Sequence, residues 1–191
     1  GGRGGNIDMS VGSGDSGDGG RIRISAGLTT DKGAVGGEIR LKGGDGMNDD
    51  KTNGGNGGDI VLFGGAAYGE ADIDRGGDIN ITGGSAVGGT GGRLIFLSGG
   101  STEKSSGMIL ISSSNSGSAG VSGAIKVNTG TTSVGSSGEI SIKTGHATQG
   151  KGGDILMSVG RGTKGVGGDV IISAGLTSDE ATGGQVTILS G

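Results

Sequence analysis

The chain has 191 residues, 53 of them glycine, with no proline, no cysteine, 2% aromatics and a formal net charge of −4. These values exclude a disulfide framework, argue against a nucleic-acid partner because neither a basic stripe nor stacking aromatics exist, and leave no apolar run long enough for a membrane span. At 29% hydrophobic residues the chain reads as disordered unless its aliphatics are regularly placed.

They are. Gly167-Gly168-Asp169-Val170-Ile171-Ile172-Ser173-Ala174-Gly175 is one copy of a unit written twelve times. With the second glycine of each unit as position 0, the anchors are Gly5, Gly20, Gly37, Gly58, Gly77, Gly92, Gly107, Gly123, Gly138, Gly153, Gly168 and Gly184. Their spacings are 15, 17, 21, 19, 15, 15, 16, 15, 15, 15 and 16, the short period of a repeat architecture.

Position +2 holds Ile7, Ile22, Ile39, Ile60, Ile79, Leu94, Ile109, Ile125, Ile140, Ile155, Val170 and Val186. Position +4 holds Met9, Ile24, Leu41, Leu62, Ile81, Phe96, Ile111, Val127, Ile142, Met157, Ile172 and Ile188. Period two with β-branched residues predicts a short strand whose +2 and +4 side chains share a buried face. Position +6 reads as small throughout, from Val11 to Ser190, on the same inner face where the chain begins to turn, and position +7 is glycine except at Ser114. Polar, glycine-rich connectors join the strands, and three are enlarged: around Leu28–Val35, Asp45–Asn56 and Ala66–Arg75.

A single unit has too few aliphatics to offset the entropy of ordering it, so the units must stack. The expectation is an all-β fold, a β-solenoid (parallel β-helix) of twelve repeats of about 15 residues. No linker or composition shift divides it, so residues 1–191 read as a single array. Like charges at outward positions would stack with one or two units per turn but not with three, which favours three strands per turn over the alternatives of one or two. "MSVG" recurs at Met9–Gly12 and Met157–Gly160, and "ISAGLT" at Ile24–Thr29 and Ile172–Thr177, nine units apart. The chain starts without Met, shows no signal peptide, and enters and leaves in mid-repeat, so it is expected to be a segment of a longer chain.

Catalytic and cofactor-binding residues are not predicted. Calcium is the one ion the pattern admits. Gly54-Gly55-Asn56-Gly57-Gly58-Asp59-Ile60-Val61-Leu62 matches the GGxGxDxUx pattern of calcium-binding RTX nonapeptides. It occurs once in full, because Gly88-Gly89-Thr90-Gly91-Gly92-Arg93 puts a cation where the ligand should be, so a glycine corner beside a solvent-facing Asp59 is the simpler reading. The loop holding Asp45, Asp49 and Asp50 is the other acidic candidate, but Lys51 breaks EF-hand spacing and a solvated loop is favoured. His146, the sole histidine, lies in a connector without signs of a triad. Asn80-Ile81-Thr82 is a glycosylation sequon on an outward position. Outward apolar Val61, Leu110 and Leu156, with Phe63, Leu97 and Leu189, raise the prospect of lateral association.

The unit GG-x-Ile-x-Ile-x-small-Gly with its Ser/Thr/Gly spacers resembles glycine-rich tandem repeats in secreted and cell-surface proteins of diatoms and related algae. That resemblance covers the whole chain in composition and rhythm, and implies an extracellular structural or adhesive role with no catalytic residue transferred. The expected function is a structural repeat protein of a fibre, filament or surface coat, partnered by itself, by further repeats of the same chain, or by a polysaccharide matrix. A binding or adhesion module for polysaccharide or ice is the alternative. An enzyme of the polysaccharide-lyase kind comes third, with only the acidic loops in its favour.

Overall fold

The computed structural model describes residues 2–191, which contain neither helix nor strand. The expected β-solenoid of twelve repeats, at three, two or one strands per turn, is therefore not the structure. A solenoid needs ladders between equivalent positions of stacked units. Among the described residues there are nine main-chain hydrogen bonds, and none joins equivalent positions of two units. A folded chain of this length would carry roughly one internal hydrogen bond per residue. Two large aliphatics per unit do not hold fifteen glycine-rich residues in register, because glycine loses the most freedom when ordered.

Burial tells the same story. The chain exposes 19679 Å², against about 8,000 Å² for a compact protein of this mass and about 26,000 Å² for an extended one. Even two separately packed halves would show only about 10,000 Å². No described residue is buried, and only Gly43, Ser98, Ala147 and Ala174 are even half-buried.

The repeat nevertheless leaves a graded trace. Side chains at +2, from Ile22 to Val186, are 48–58% exposed, and those at +4, from Ile24 to Ile172, are 53–75% exposed. The outward residues Phe63, Leu97 and Leu189 reach 86–88%. Glu38 and Arg40, two residues apart, pair through Arg40 Nη2 and Glu38 Oε1 at 2.9 Å, as side chains on one side of an extended segment can.

The ordered feature is a junction that recurs at every connector. The residue at +6 lies against the position 0 glycine of the following unit. A Cβ added to Gly168 would sit 2.9 Å from Val159 Cγ1, one on Gly153 would sit 3.3 Å from Thr144 Cγ2, and one on Gly184 would sit 3.5 Å from Ala174 Cβ. Where +6 is itself glycine the approach is closer. A Cβ on Gly43 or Gly64 would run into the carbonyl of Gly58 or Gly77, and one on Gly83 would lie 2.6 Å from the Gly92 oxygen.

At six of these eleven junctions the main chain closes into a clasp, in which the N–H at position 0 donates to the +7 carbonyl of the preceding unit. The pairs are Gly37 to Gly27, Gly58 to Gly44, Gly77 to Gly65, Gly92 to Gly84, Gly107 to Gly99 and Gly184 to Gly175, each at 2.8 Å. The +6 residues of the closed junctions are Ala26, Gly43, Gly64, Gly83, Ser98 and Ala174; those of the open ones are Val11, Ser113, Thr129, Thr144 and Val159. A β-branched side chain at +6 thus goes with an open junction without exception. The reason is steric: at the open junctions of Thr129, Thr144 and Val159 the nearest neighbour of the position 0 glycine is a γ-methyl. At Gly37, Gly77 and Gly92 it is the +7 amide nitrogen instead, 3.1 Å from where a Cβ would be. Ser113 is the remaining case, and its +7 residue is Ser114 where every other unit has glycine. Sterics at +7 do not explain it, since a Cβ on Gly27, Gly44 or Gly99 would meet open space.

By its internal contacts the chain divides into two units, Gly1–Leu97 and Ser98–Gly191. In the first, the junctions from Ala26 to Gly92 are all closed. In the second, those from Ser113 to Gly168 are all open, flanked by closed ones at Ser98 and Ala174.

Candidate functional site

The enlarged connector between Gly44 and Gly58 is the most structured stretch of the first unit. Asparagine and aspartate side chains bond main-chain amides a residue or two ahead and so nucleate turns. Asn48 and Asp50 do this in series. Asn48 Oδ1 accepts from the Asp50 amide at 3.0 Å, and its carbonyl accepts from the Gly55 amide at 2.9 Å. Asp50 Oδ1 then accepts from Thr52 Oγ1 at 2.7 Å, the Thr52 amide at 2.8 Å and the Asn53 amide at 2.9 Å. The Thr52 hydroxyl, followed by the two amides, lowers the Asp50 carboxyl from its ordinary 3.8 to about 2. All these donors stabilise the charged form, and an exposed carboxylate keeps nearly all its hydration.

Of the four acids considered for calcium, Asp50 is therefore engaged by its own turn, and Asp45 receives Lys42 Nζ at 2.5 Å. Asp49 is exposed beside Asp50, and Asp59 is exposed just beyond the Gly58 clasp. The structure does not bring them together: among the described residues no three His, Cys, Asp or Glu side chains converge as a metal ligand set. His146 and Asn80 are exposed, and no cavity is present among the described residues.

What sequence reasoning missed here is Thr52 and Asn48. The signal was present in Asn48-Asp49-Asp50-Lys51-Thr52-Asn53, whose turn-forming side chains count for more than its net charge. A second turn is written twice. Asp31 donates its amide to Thr29 Oγ1 at 3.2 Å and accepts from the Lys32 amide at 2.9 Å, and Asp179 does the same with Thr177 and Glu180 at the same two distances. The repeated ISAGLT segments thus carry a repeated structure, and both lead from an alanine at +6 into a closed clasp.

No helix among the described residues is long and apolar enough to cross a membrane. Comparison with protein-family profiles, with curated proteins and with solved structures finds no match.

Proposed function

We propose that this chain is a structural repeat protein that associates with copies of itself, or with further repeats of the same kind, to build a fibre, filament or coat outside the cell or at its surface. One observation carries the reading: every unit presents large aliphatics at +2 and +4, and none of them is buried within the chain. Contiguous exposed apolar surface on a protein marks a place where something else binds. Here the pattern recurs in all twelve units, so what covers it must repeat with a similar rhythm, and a second copy does.

Open glycine-rich main chain adds to this. Most main-chain amide and carbonyl groups have no main-chain partner among the described residues, and association offers them partners while removing aliphatic surface from water. The extracellular placement rests on the resemblance of the repeat to glycine-rich surface proteins.

Sedimentation velocity over a wide concentration range, with electron microscopy of the concentrated protein, tests the proposal. Growth into elongated assemblies is the expected result. A chain that stays monomeric at the highest concentrations would overturn it and favour the binding or adhesion module.

A further inference from the structure

We propose that copies of the chain meet through two complementary runs, residues 26–92 of one copy against residues 113–168 of another; this rests on the self-association proposed above. The runs differ in two independent ways. The first contains ten acids and five bases, the second five bases and two acids, giving net charges of −5 and +3. The first also has all four of its junctions closed, and the second has all four open.

Internal ion pairs do not erase the contrast. Arg40 with Glu38 and Lys42 with Asp45 neutralise two acids of the first run, and Lys151 with Asp154 neutralises one acid of the second. Asp59, Glu70, Asp72 and Asp78 in the first run, and Lys126, Lys143 and Lys164 in the second, have no ion-pair partner among the described residues. They are left to act on another molecule.

Two copies that align the same run face like charge on like charge, which disfavours the contact, whereas acidic on basic attracts and sets the register. The open junctions add a second reason for the basic run to be a docking surface. The position 0 amides of Gly138, Gly153 and Gly168 and the +7 carbonyls of Gly130, Gly145 and Gly160 form no main-chain bond among the described residues. In the acidic run the corresponding groups are held in clasps. An incoming segment therefore finds exposed main-chain donors and acceptors beside the aliphatics of the basic run.

The full-length protein tests this by sedimentation velocity in sodium chloride. The electrostatic screening length falls from about 10 Å at 0.1 M to about 3 Å at 1 M, so the wild-type association constant should drop about ten-fold or more over that range. A first variant, Lys126→Glu with Lys143→Glu and Lys164→Glu, makes both runs acidic. A second, Asp59→Lys with Glu70→Lys, Asp72→Lys and Asp78→Lys, makes both basic. Each alone should associate about ten-fold more weakly than wild type, and an equimolar mixture should regain the lost association. The inference is overturned if either variant alone associates as tightly as wild type, or if mixing restores nothing. Wild-type assembly that ignores salt and charge reversal would sink the pairing of runs while leaving self-association intact. A wild type that never assembles would sink the self-association itself.

Discussion

Val159→Ala should convert an open junction into a closed one, and Ala174→Val should do the reverse one unit later. The magnitudes explain why so small a change decides the outcome. A clasp is one exposed main-chain hydrogen bond, worth about 0.5–1.5 kcal/mol net. Against it stands the entropy of closing the connector, a cost of similar size that depends weakly on length. Lengthening the loop from eight residues, as between Gly84 and Gly92, to fourteen, as between Gly44 and Gly58, adds only about 0.5 kcal/mol. Length therefore fails to sort the junctions: the fourteen-residue connector closes, while the eight-residue one from Gly160 to Gly168 does not. With the terms so nearly balanced, one γ-methyl over the glycine Cα tips the equilibrium. Val159 Cγ1 stands 2.9 Å from where a Cβ of Gly168 would be, and removing it lets the Gly168 amide approach the Gly160 carbonyl. Amide exchange and temperature coefficients of the glycine resonances read this directly. About 1 kcal/mol corresponds to roughly a five-fold change in the closed-to-open ratio, so Gly168 should exchange several-fold more slowly in Val159→Ala and Gly184 several-fold faster in Ala174→Val. Unchanged Gly168 and Gly184 amides in the two variants would refute the steric account. Ser114→Gly is the companion experiment: closure at Gly123 would assign the remaining open junction to the residue at +7.

Three further outcomes are expected. Asp50 has a carboxyl lowered to about 2, so the turn it organises is fully formed above the ordinary value of 3.8 and is lost as pH falls through about 2; an Asp50 side-chain titration by NMR that gives an unshifted midpoint would contradict the turn geometry. Gly77→Ala places a Cβ 3.1 Å from the Gly65 amide nitrogen, so the Gly77 amide should lose its protection while that of Gly92 keeps its own. Ile140→Asp removes an aliphatic that is already 53% exposed, so the monomer's far-ultraviolet circular dichroism should not change, but association should weaken by about ten-fold, since covering the remaining half of such a side chain is worth about 1–1.5 kcal/mol; equal association of mutant and wild type would count against aliphatic cover.

The repeat was fully legible in the sequence, and the structure it specifies was not. Positions +2 and +4 announced an alternating apolar face, and their lower exposure relative to Phe63 and Leu189 is the trace of it. The step from alternation to a solenoid failed because period two describes an extended segment, paired or not. Pairing depends on whether the aliphatics of a unit offset the entropy of its glycines, and pattern alone does not weigh those terms. Position +6 was recognised as small, but its residues were read together as one class at the start of a turn. The distinction that matters is within that set, between Ala26, Gly43 or Ser98 and Val11, Thr129 or Val159, and it becomes visible only beside the glycine each one touches. At Asp50 the sequence showed charge where the structure shows a turn, because Thr52 and Asn53 supply the donors that hold the carboxylate.

The two regular features of this chain have different explanations, and the difference points outside the molecule. At many units glycine at position 0 is accounted for by the chain's own contacts: a side chain at Gly20 would strike Val11, and one at Gly37, Gly77 or Gly92 would press on the main chain at +7 of the preceding unit. The aliphatics at +2 and +4 have no such account. They recur twelve times although no copy is buried, and exposed aliphatic area is unfavourable in water. A small ligand would require such residues at one place. Under the proposed self-association, a cover that satisfies Ile22 in the same manner as Ile140 and Val186 presents apolar groups with the rhythm of these units, which are fifteen to twenty-one residues apart. Another copy of this repeat has that rhythm, and the opposite charges of residues 26–92 and 113–168 would then decide which part of the copy arrives where.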